Sequence, residues 1–439
     1  MTPPRPGPFE WDLAPPRSAL IGDHDVPLLS EHLAGRRIAL VVTGSVAALR
    51  APQLARALRR RGAEVTAFCS PEALAYVGEQ ALEWATLRPL VRQLSWRAEH
   101  LSDSTPFDAW LVAPATFNTI GKLAAGIADT AATAALASAL GRLQQGATQI
   151  LVAPAMHGSL HTPVLERNCR LLRELGVRFI PPRDEHGKHN LASDELIAAA
   201  VCRALSASSL RGAPLLVTGG PTPVPIDGVR RIVNRFSGRL GIQIAEELVL
   251  RGAEVTLVLG EGSAPAPAWL PCTPAASYDA YRQLVLAAVA AGQRAGIFSA
   301  AVADYQPLRV AAGKIASGQP MVRLELEPTG KVIEAVAAAD PALHLVSFKL
   351  LAGASEAELL AEAQRRLQRH GLVVANRAEE VQGEEQTAWL VSREGAIRVT
   401  GKPAIAAAIA DQLERVAAAA ALRGDPWNPE TQGPGTTGR

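Results

Sequence analysis

Cysteine is sparse in this chain of 439 residues: Cys69, Cys169, Cys202 and Cys272 stand far apart, and no C-x-x-C pair occurs. That spacing argues against a disulfide framework and against a zinc site. An excess of one charge is also missing, since 44 basic residues meet 42 acidic ones for a formal net charge of +2. General attraction to nucleic acid or to a membrane surface is therefore not expected, and only local basic loops remain. No apolar run reaches the ~18 residues of a spanning helix. The opening MTPPRPGPFEWDLAPPR is proline-rich without a signal-peptide core, so a soluble, cytoplasmic protein is expected.

What is present is concentrated in LLVTGGPTPVPIDGVRRIVNRFSGRLGIQIAEELVLRGAEVTLVLG, starting at Leu215. The apolar run Leu215, Leu216, Val217 enters a glycine turn at Gly219 and Gly220. After a basic loop, Ser237-Gly238-Arg239-Leu240-Gly241 opens a helical pattern that closes at Arg251-Gly252-Ala253. Strand, glycine turn and helix N-terminus together make an anion site: N–H groups point outward, no Cβ blocks approach, and the helix dipole favours phosphate. The spacing of these turns is not G-x-G-x-x-G, which weakens a nicotinamide-dependent oxidoreductase. Arg230, Arg231, Arg235 and Arg239 crowd the loop and favour a nucleotide over the alternative, a merely solvated basic loop.

The same design occurs earlier. Ile38 to Val42 read as a strand, Thr43-Gly44-Ser45 as the turn, and Val46 to Arg60 as a helix; RRGAEVT at 60–66 recurs as LRGAEVT at 250–256. The length calls for two cores of about 200 residues each. An irregular Pro-rich extension is expected over 1–34, a first domain over 35–205, a linker over 206–214, a second domain over 215–421 and a Pro/Gly-rich tail over 422–439. Strands fit at 38–42, 65–69, 110–113 and 150–153 in the first domain. In the second they fit at 215–218, 255–259, 296–299, 344–348 and 372–375, before a last helix at 403–421. The expected fold class is α/β: two Rossmann-like domains in tandem, each a mostly parallel sheet with helices on both faces.

In the first domain, the strand starting at Trp110 ends in Pro114-Ala115, which places Thr116, Asn118 and Thr119 at the sheet's carboxyl edge, where open α/β sheets bind ligands. Helix capping is the plainer role for such side chains. A second A-P-A end, at 153–155 before Met156 and His157, suggests a shared pocket rim.

This order of motifs resembles the bifunctional phosphopantothenoylcysteine decarboxylase/phosphopantothenate–cysteine ligase family of coenzyme A biosynthesis, over residues 36 to 418. The resemblance implies a decarboxylase domain that binds flavin mononucleotide (FMN), and a ligase domain that joins 4′-phosphopantothenate to cysteine using CTP and Mg²⁺. The ligase pattern stands as Gly219 and Gly220, then Asp227, Val229, Arg230, Ile232, Asn234, Ser237, Gly238 and Gly241. Its A-A-V-A-D-Y segment is Ala300 to Tyr305, followed by Lys314, Phe348 and Ala375-Asn376. Two positions depart from it, Phe236 for a second serine and Arg239 for lysine. The resemblance implies a nucleotide site of Gly219, Gly220, Ser237, Gly238, Arg239, Ala301, Asp304, Lys314, Phe348 and Asn376. Asp304 would also serve the metal, and Arg230, Asn234 and Lys314 the chemistry at the acyl-cytidylate.

The decarboxylase half matches in part. Gly44, Ser45, Ser70, Pro114, Ala115, Thr116, Asn118, Thr119 and Met156 correspond to the family's flavin contacts, and His100 has the spacing of its catalytic base. His157 replaces an asparagine of the P-x-M-N motif, and the flap that carries a cysteine proton donor is missing: RDEHGKHNLASDELIAAAV follows Pro182 instead. Cys169 is not at the matching place. Three readings follow. Both activities survive, with His157, His161 or the histidines of 186–189 replacing the lost groups. Or the domain binds flavin without completing the decarboxylation; or it only supports assembly of the ligase. A homo-oligomer is expected in each.

Overall fold

The computed structural model describes residues 9, 11, 13, 14, 22–101, 105–382 and 385–422. The first part of the N-terminal extension and nearly all of the tail lie outside them. Within the extension, Leu33 is fully buried, and the amides of Leu29 and Leu33 donate to the carbonyls of Arg60 and Arg61. The chain divides into two compact units, Met1–Ala198 and Ala199–Arg439.

The first unit runs β1 (Arg37–Val42), α1 (Ala51–Arg59), β2 (Glu64–Cys69), α2 (Glu79–Thr86), β3 (Ala109–Ala115), α3 (Phe117–Ala125), α4 (Ala131–Gln144), β4 (Gln149–Pro154), β5 (Met156–His157), α5 (Pro163–Glu174) and β6 (Arg178–Phe179). A short hairpin, β7 (Arg183–Glu185) and β8 (Lys188–Asn190), precedes α6 (Asp194–Leu205), which spans the division. Strands β2-β1-β3-β4-β6 form a parallel sheet in that order. Their continuous apolar runs are those of strands covered on both faces; every residue of β3 is buried. The chain leaves β1 in one direction and returns at β3 in the other. The gap between their carboxyl ends is thus the topological switch point.

The helix expected over 46–60 is split. Residues Val46–Arg50 form a tighter turn, and α1 begins at Ala51 with Pro52 in its first turn. Proline has no N–H to donate back into a preceding helical turn, so it is accommodated only at a helix start. At α3, by contrast, local chemistry sets both ends. The Thr116 hydroxyl accepts from the amide of Thr119, and Gly126 closes the helix at φ 70°.

The second unit repeats the plan with β9 (Pro214–Gly219), a loop pair β10 (Val224–Pro225) and β11 (Arg231–Ile232), α7 (Arg239–Leu250), β12 (Glu254–Gly260), β13 (Cys272–Ala275), α8 (Tyr278–Ala290) and β14 (Ala295–Phe298). A second loop pair, β15 (Tyr305–Pro307) and β16 (Leu326–Pro328), leads to α9 (Val332–Ala339), β17 (His344–Leu351), α10 (Glu356–Leu367) and β18 (Leu372–Arg377). The chain ends in β19 (Val381–Gln382), β20 (Glu385–Ser392), β21 (Gly395–Thr400) and α11 (Lys402–Leu422). The order β13-β12-β9-β14-β17-β18 is parallel, and its switch point lies between β9 and β14. Antiparallel β20 and β21 extend the far edge. Alternation along β9 shows the two-sided packing: Leu215 and Val217 join the core under α7 and α11, while Leu216 joins the core under α8 and α9. Both units are therefore α/β, with mostly parallel sheets.

Candidate functional site

Each switch point opens into a cavity. In the first unit, about 460 Å³ is lined by Thr43, Gly44 and Ser45 after β1, Ser70 after β2, Thr116, Asn118 and Thr119 at the start of α3, and Met156 on β5. Seven of the nine positions singled out for flavin thus meet in one place. The other two shape its wall: Thr43 Oγ1 donates to the Pro114 carbonyl at 2.6 Å, and Ala115 is buried beneath. At Gly44 an added Cβ would stand 2.5 Å from the Cβ of Glu72, so the turn admits only glycine. The Ser70 hydroxyl is buried at the pocket without a hydrogen-bond partner. A buried polar atom left unpaired is costly, and a ligand donor or acceptor here would satisfy it. A hydroxyl- and amide-lined cavity at helix α3's N-terminus fits the phosphate, ribityl chain and ring system of FMN. Glu72, Lys122, Thr130 and Thr133 line it too. Sequence alone does not mark them as site residues, although Thr130 and Thr133 form a capping box that starts α4.

His100 is not brought into this lining. It is half-buried in a turn before β3, and its Nδ1 is enclosed without a partner. The region after Pro182, where the flap is lacking, folds as the β7–β8 hairpin. This hairpin pairs with β5 through Met156 opposite His189 and His157 opposite Lys188. His157 itself caps the short turn that follows, accepting from the Ser159 amide. Cys169 sits on α5 against the core, and burial pushes its thiol pKa up.

In the second unit a cavity of about 430 Å³ is lined by Gly220, Ser237, Gly238, Arg239, Ala301, Phe348 and Asn376, seven of the ten positions singled out for the nucleotide. Gly238 precedes α7 at φ 72°, and a Cβ there would meet the Gly220 amide nitrogen at 2.6 Å. The two glycine turns thus close on each other, and α7's first amides face the cavity. Gly219 is buried behind the lining, its Cα facing Gly241. Three polar lining residues were not legible in the sequence: Ser299, Gln386 on β20, and Lys402, the first residue of α11. Lys402 is only 6% exposed. Burial, and then the nearby Arg239 charge, lower its ammonium pKa.

The remaining candidates surround this cavity without lining it. Asn234 donates to the carbonyls of Ala301 (3.0 Å) and Val302. Asp304 pairs with Lys331, a partner that the sequence reading did not consider. Arg230 is held by Asp227 at 2.9 Å, and Asp227 also accepts from the amide of Ile315, next to Lys314. Those contacts bring Arg230 and the Lys314 loop together. With four donors on its two oxygens, first the Ile315 amide, Asp227 has its pKa drawn down to about 2. Among the described residues no cluster of three His, Cys, Asp or Glu could hold a metal ion by itself. Also among them, no helix is long and apolar enough to cross a membrane.

Comparison with known proteins follows the same division. The Flavoprotein family matches residues 28–206, and the DNA/pantothenate metabolism flavoprotein C-terminal domain matches residues 210–416. The chain is 38% identical over 406 residues to the coenzyme A biosynthesis bifunctional protein CoaBC of Thermococcus kodakarensis, covering 90% of this chain and 99% of the relative. It is 27% identical to the protein of that name from Methanocaldococcus jannaschii, over 79% of this chain and 85% of the relative. The Escherichia coli protein of that name is 31% identical over 64% of this chain and 71% of its own length.

Proposed function

Because the chain belongs to the CoaBC family of bifunctional coenzyme A biosynthesis enzymes, we propose a division of labour between its two cavities. The second unit, over 215–421, makes 4′-phosphopantothenoylcysteine from 4′-phosphopantothenate and cysteine with CTP. The first, over 35–205, decarboxylates that product with FMN, and 206–214 connects them. The observation that carries this reading is the pair of switch-point cavities, one lined mainly by hydroxyls and amides, the other by three cations and two aromatic rings.

Ligation brings an anion to an anion: the substrate carboxylate must attack the α-phosphate of CTP, so cationic groups must neutralise the approach. Arg239, Lys402 and the N-terminus of α7 supply that charge at the cavity, with Lys314 and Arg230 at the neighbouring loop. Phe348 stacks on the cytosine, and Asn376 and Ala301 fix its edge. Asn234, already bonded to the loop after β14, holds the acyl-cytidylate beside Arg230 while the cysteine amine attacks. Asp304 would hold the Mg²⁺ that accompanies the nucleotide once Lys331 released its carboxylate, and the ion would neutralise phosphate charge there. In the first unit Ser45, Ser70, Thr116, Asn118 and Thr119 hold FMN, which supplies reversible two-electron oxidation of the substrate's thiol-bearing carbon. His100 is the proposed base; it needs a shift from its turn to reach substrate. The working form is a homo-oligomer.

The test is mass spectrometry of products from purified protein given 4′-phosphopantothenate, cysteine, CTP and Mg²⁺. Conversion through to 4′-phosphopantetheine is expected. Accumulation of the cysteine adduct alone would leave the ligase and overturn the decarboxylase assignment, and no adduct would overturn both.

A further inference from the structure

The second half of the decarboxylase reaction needs a proton donor, and neither a flap nor an available cysteine supplies one. The structure puts a different device at that edge of the cavity. Met156 and Leu160 line the cavity; Met156 pairs across the ladder with His189, and Leu160 is followed directly by His161. The His161 and His189 rings meet through Nδ1 and Nε2 at 2.9 Å, and Nδ1 of His189 lies 2.6 Å from Asp184. Beyond His161, its Nε2 is 3.4 Å from Glu166 on α5.

With His189 neutral, this row of atoms has one consistent protonation pattern. Ionised Asp184 only accepts, so it fixes the proton of His189 on Nδ1 and leaves Nε2 as an acceptor. Nδ1–H of His161 fills that acceptor. The remaining ring nitrogen is then Nε2 of His161, 3.4 Å from the Glu166 carboxylate. The proton between the rings is held on Nδ1 of His161, so the transferable one is that on Nε2 of the half-exposed His161.

We propose that His161, oriented by His189 and Asp184, donates the proton that completes reduction of the decarboxylated enethiol. This rests on the decarboxylase reading above. In the step, the carbon–carbon π bond of the R–NH–CH=CH–SH group breaks. The carbon bearing sulfur receives a hydride, for which reduced flavin is the two-electron source. The neighbouring carbon, which has lost CO₂, receives the proton from Nε2 of His161. The N–H electron pair stays on the imidazole, and water reprotonates it. His161 is the catalytic residue in this scheme; His189 and Asp184 position it.

The experiment compares holoenzyme and its His161→Asn variant given phosphopantothenoylcysteine, with products separated by mass. Asparagine keeps an amide nitrogen near the place of Nδ1, so the link to His189 survives while the acid is lost. Wild-type protein is expected to release the saturated thiol. The variant is expected to release chiefly the unsaturated enethiol, its saturated product falling about a hundredfold as for loss of a general acid. Separately, nitrogen-15 NMR of histidine-labelled full-length protein should show His189 protonated on Nδ1 alone and His161 protonated on Nδ1 and, in its acid form, also on Nε2, and Asp184→Asn should release the His189 tautomer. Unchanged saturated product in His161→Asn, or a wild-type His189 protonated on Nε2, would overturn the proposal and leave the decarboxylase reading standing. Wild-type release of only the enethiol, or no loss of CO₂ at all, would overturn both.

Discussion

Asp227 shows how a single buried carboxylate can organise a loop. Its oxygens accept from the amides of Val229, Arg230 and Ile315 and from the Arg230 guanidinium, so two segments 88 residues apart in sequence are joined. Because those donors prefer the ionised form, the folded-state pKa of about 2 lies below the ordinary 3.8. The stabilisation is therefore complete above about pH 4 and is lost as pH falls through about 2. Denaturant titrations across that window should show a slope for the wild type that Asp227→Asn lacks. At pH 7 the same variant should weaken the ligase by loosening Arg230 and Lys314 while flavin binding stays intact. Arg239→Lys is a second test. It keeps the charge but replaces a planar fork with a point donor, and a loss of about tenfold in kcat/KM for CTP, ~1.4 kcal/mol, is expected from steady-state kinetics. Much of the site was legible at this scale, because glycine turns after apolar runs mark phosphate-sized gaps. Lys402 and Gln386 were not. Nothing in their neighbours signals a pocket, and only the path of the last strand and helix brings them beside Arg239.

Among the elements, those with the strongest local signal agree with expectation. The nine expected parallel strands fall within two or three residues of their expected bounds, while the short parallel edge strands β6 and β13 were not expected. The antiparallel β20–β21 hairpin was not anticipated: β21 is exposed over nearly its whole length, and its apolar face is only Ile397 and Val399. Nor was the small β7–β8 hairpin, which is all polar. Helix starts are where mutation should be most informative. Gly238→Ala forces a Cβ into the Gly220 backbone at a positive φ, so the variant is expected to lose ~1–3 kcal/mol of stability and its CTP binding together. Thermal unfolding and nucleotide titration would report both. Thr116→Ala removes the cap of α3 at a typical cost of ~1 kcal/mol. It should also weaken retention of FMN, seen as loss of visible absorbance after gel filtration.

For the whole molecule, the two cavities belong to separate cores, each with its own switch point. Damage in one should therefore leave the other's reaction running. Thr116→Ala protein given the ligase substrates should accumulate the cysteine adduct at the wild-type rate.

The placement of Lys402 has a further consequence. It is the first residue of the chain's last described helix, and that helix packs along α7, whose N-terminus faces the same cavity. A ligand gripped by Lys402 thus also grips the carboxyl-terminal segment, and ligation of a few groups is shared by some twenty residues of backbone. Local opening of α11 then competes with occupancy by mass action. Amide hydrogen exchange along 402–422 should slow when CTP is added, and occupancy of the pocket could be read from a helix most of whose length never touches the nucleotide.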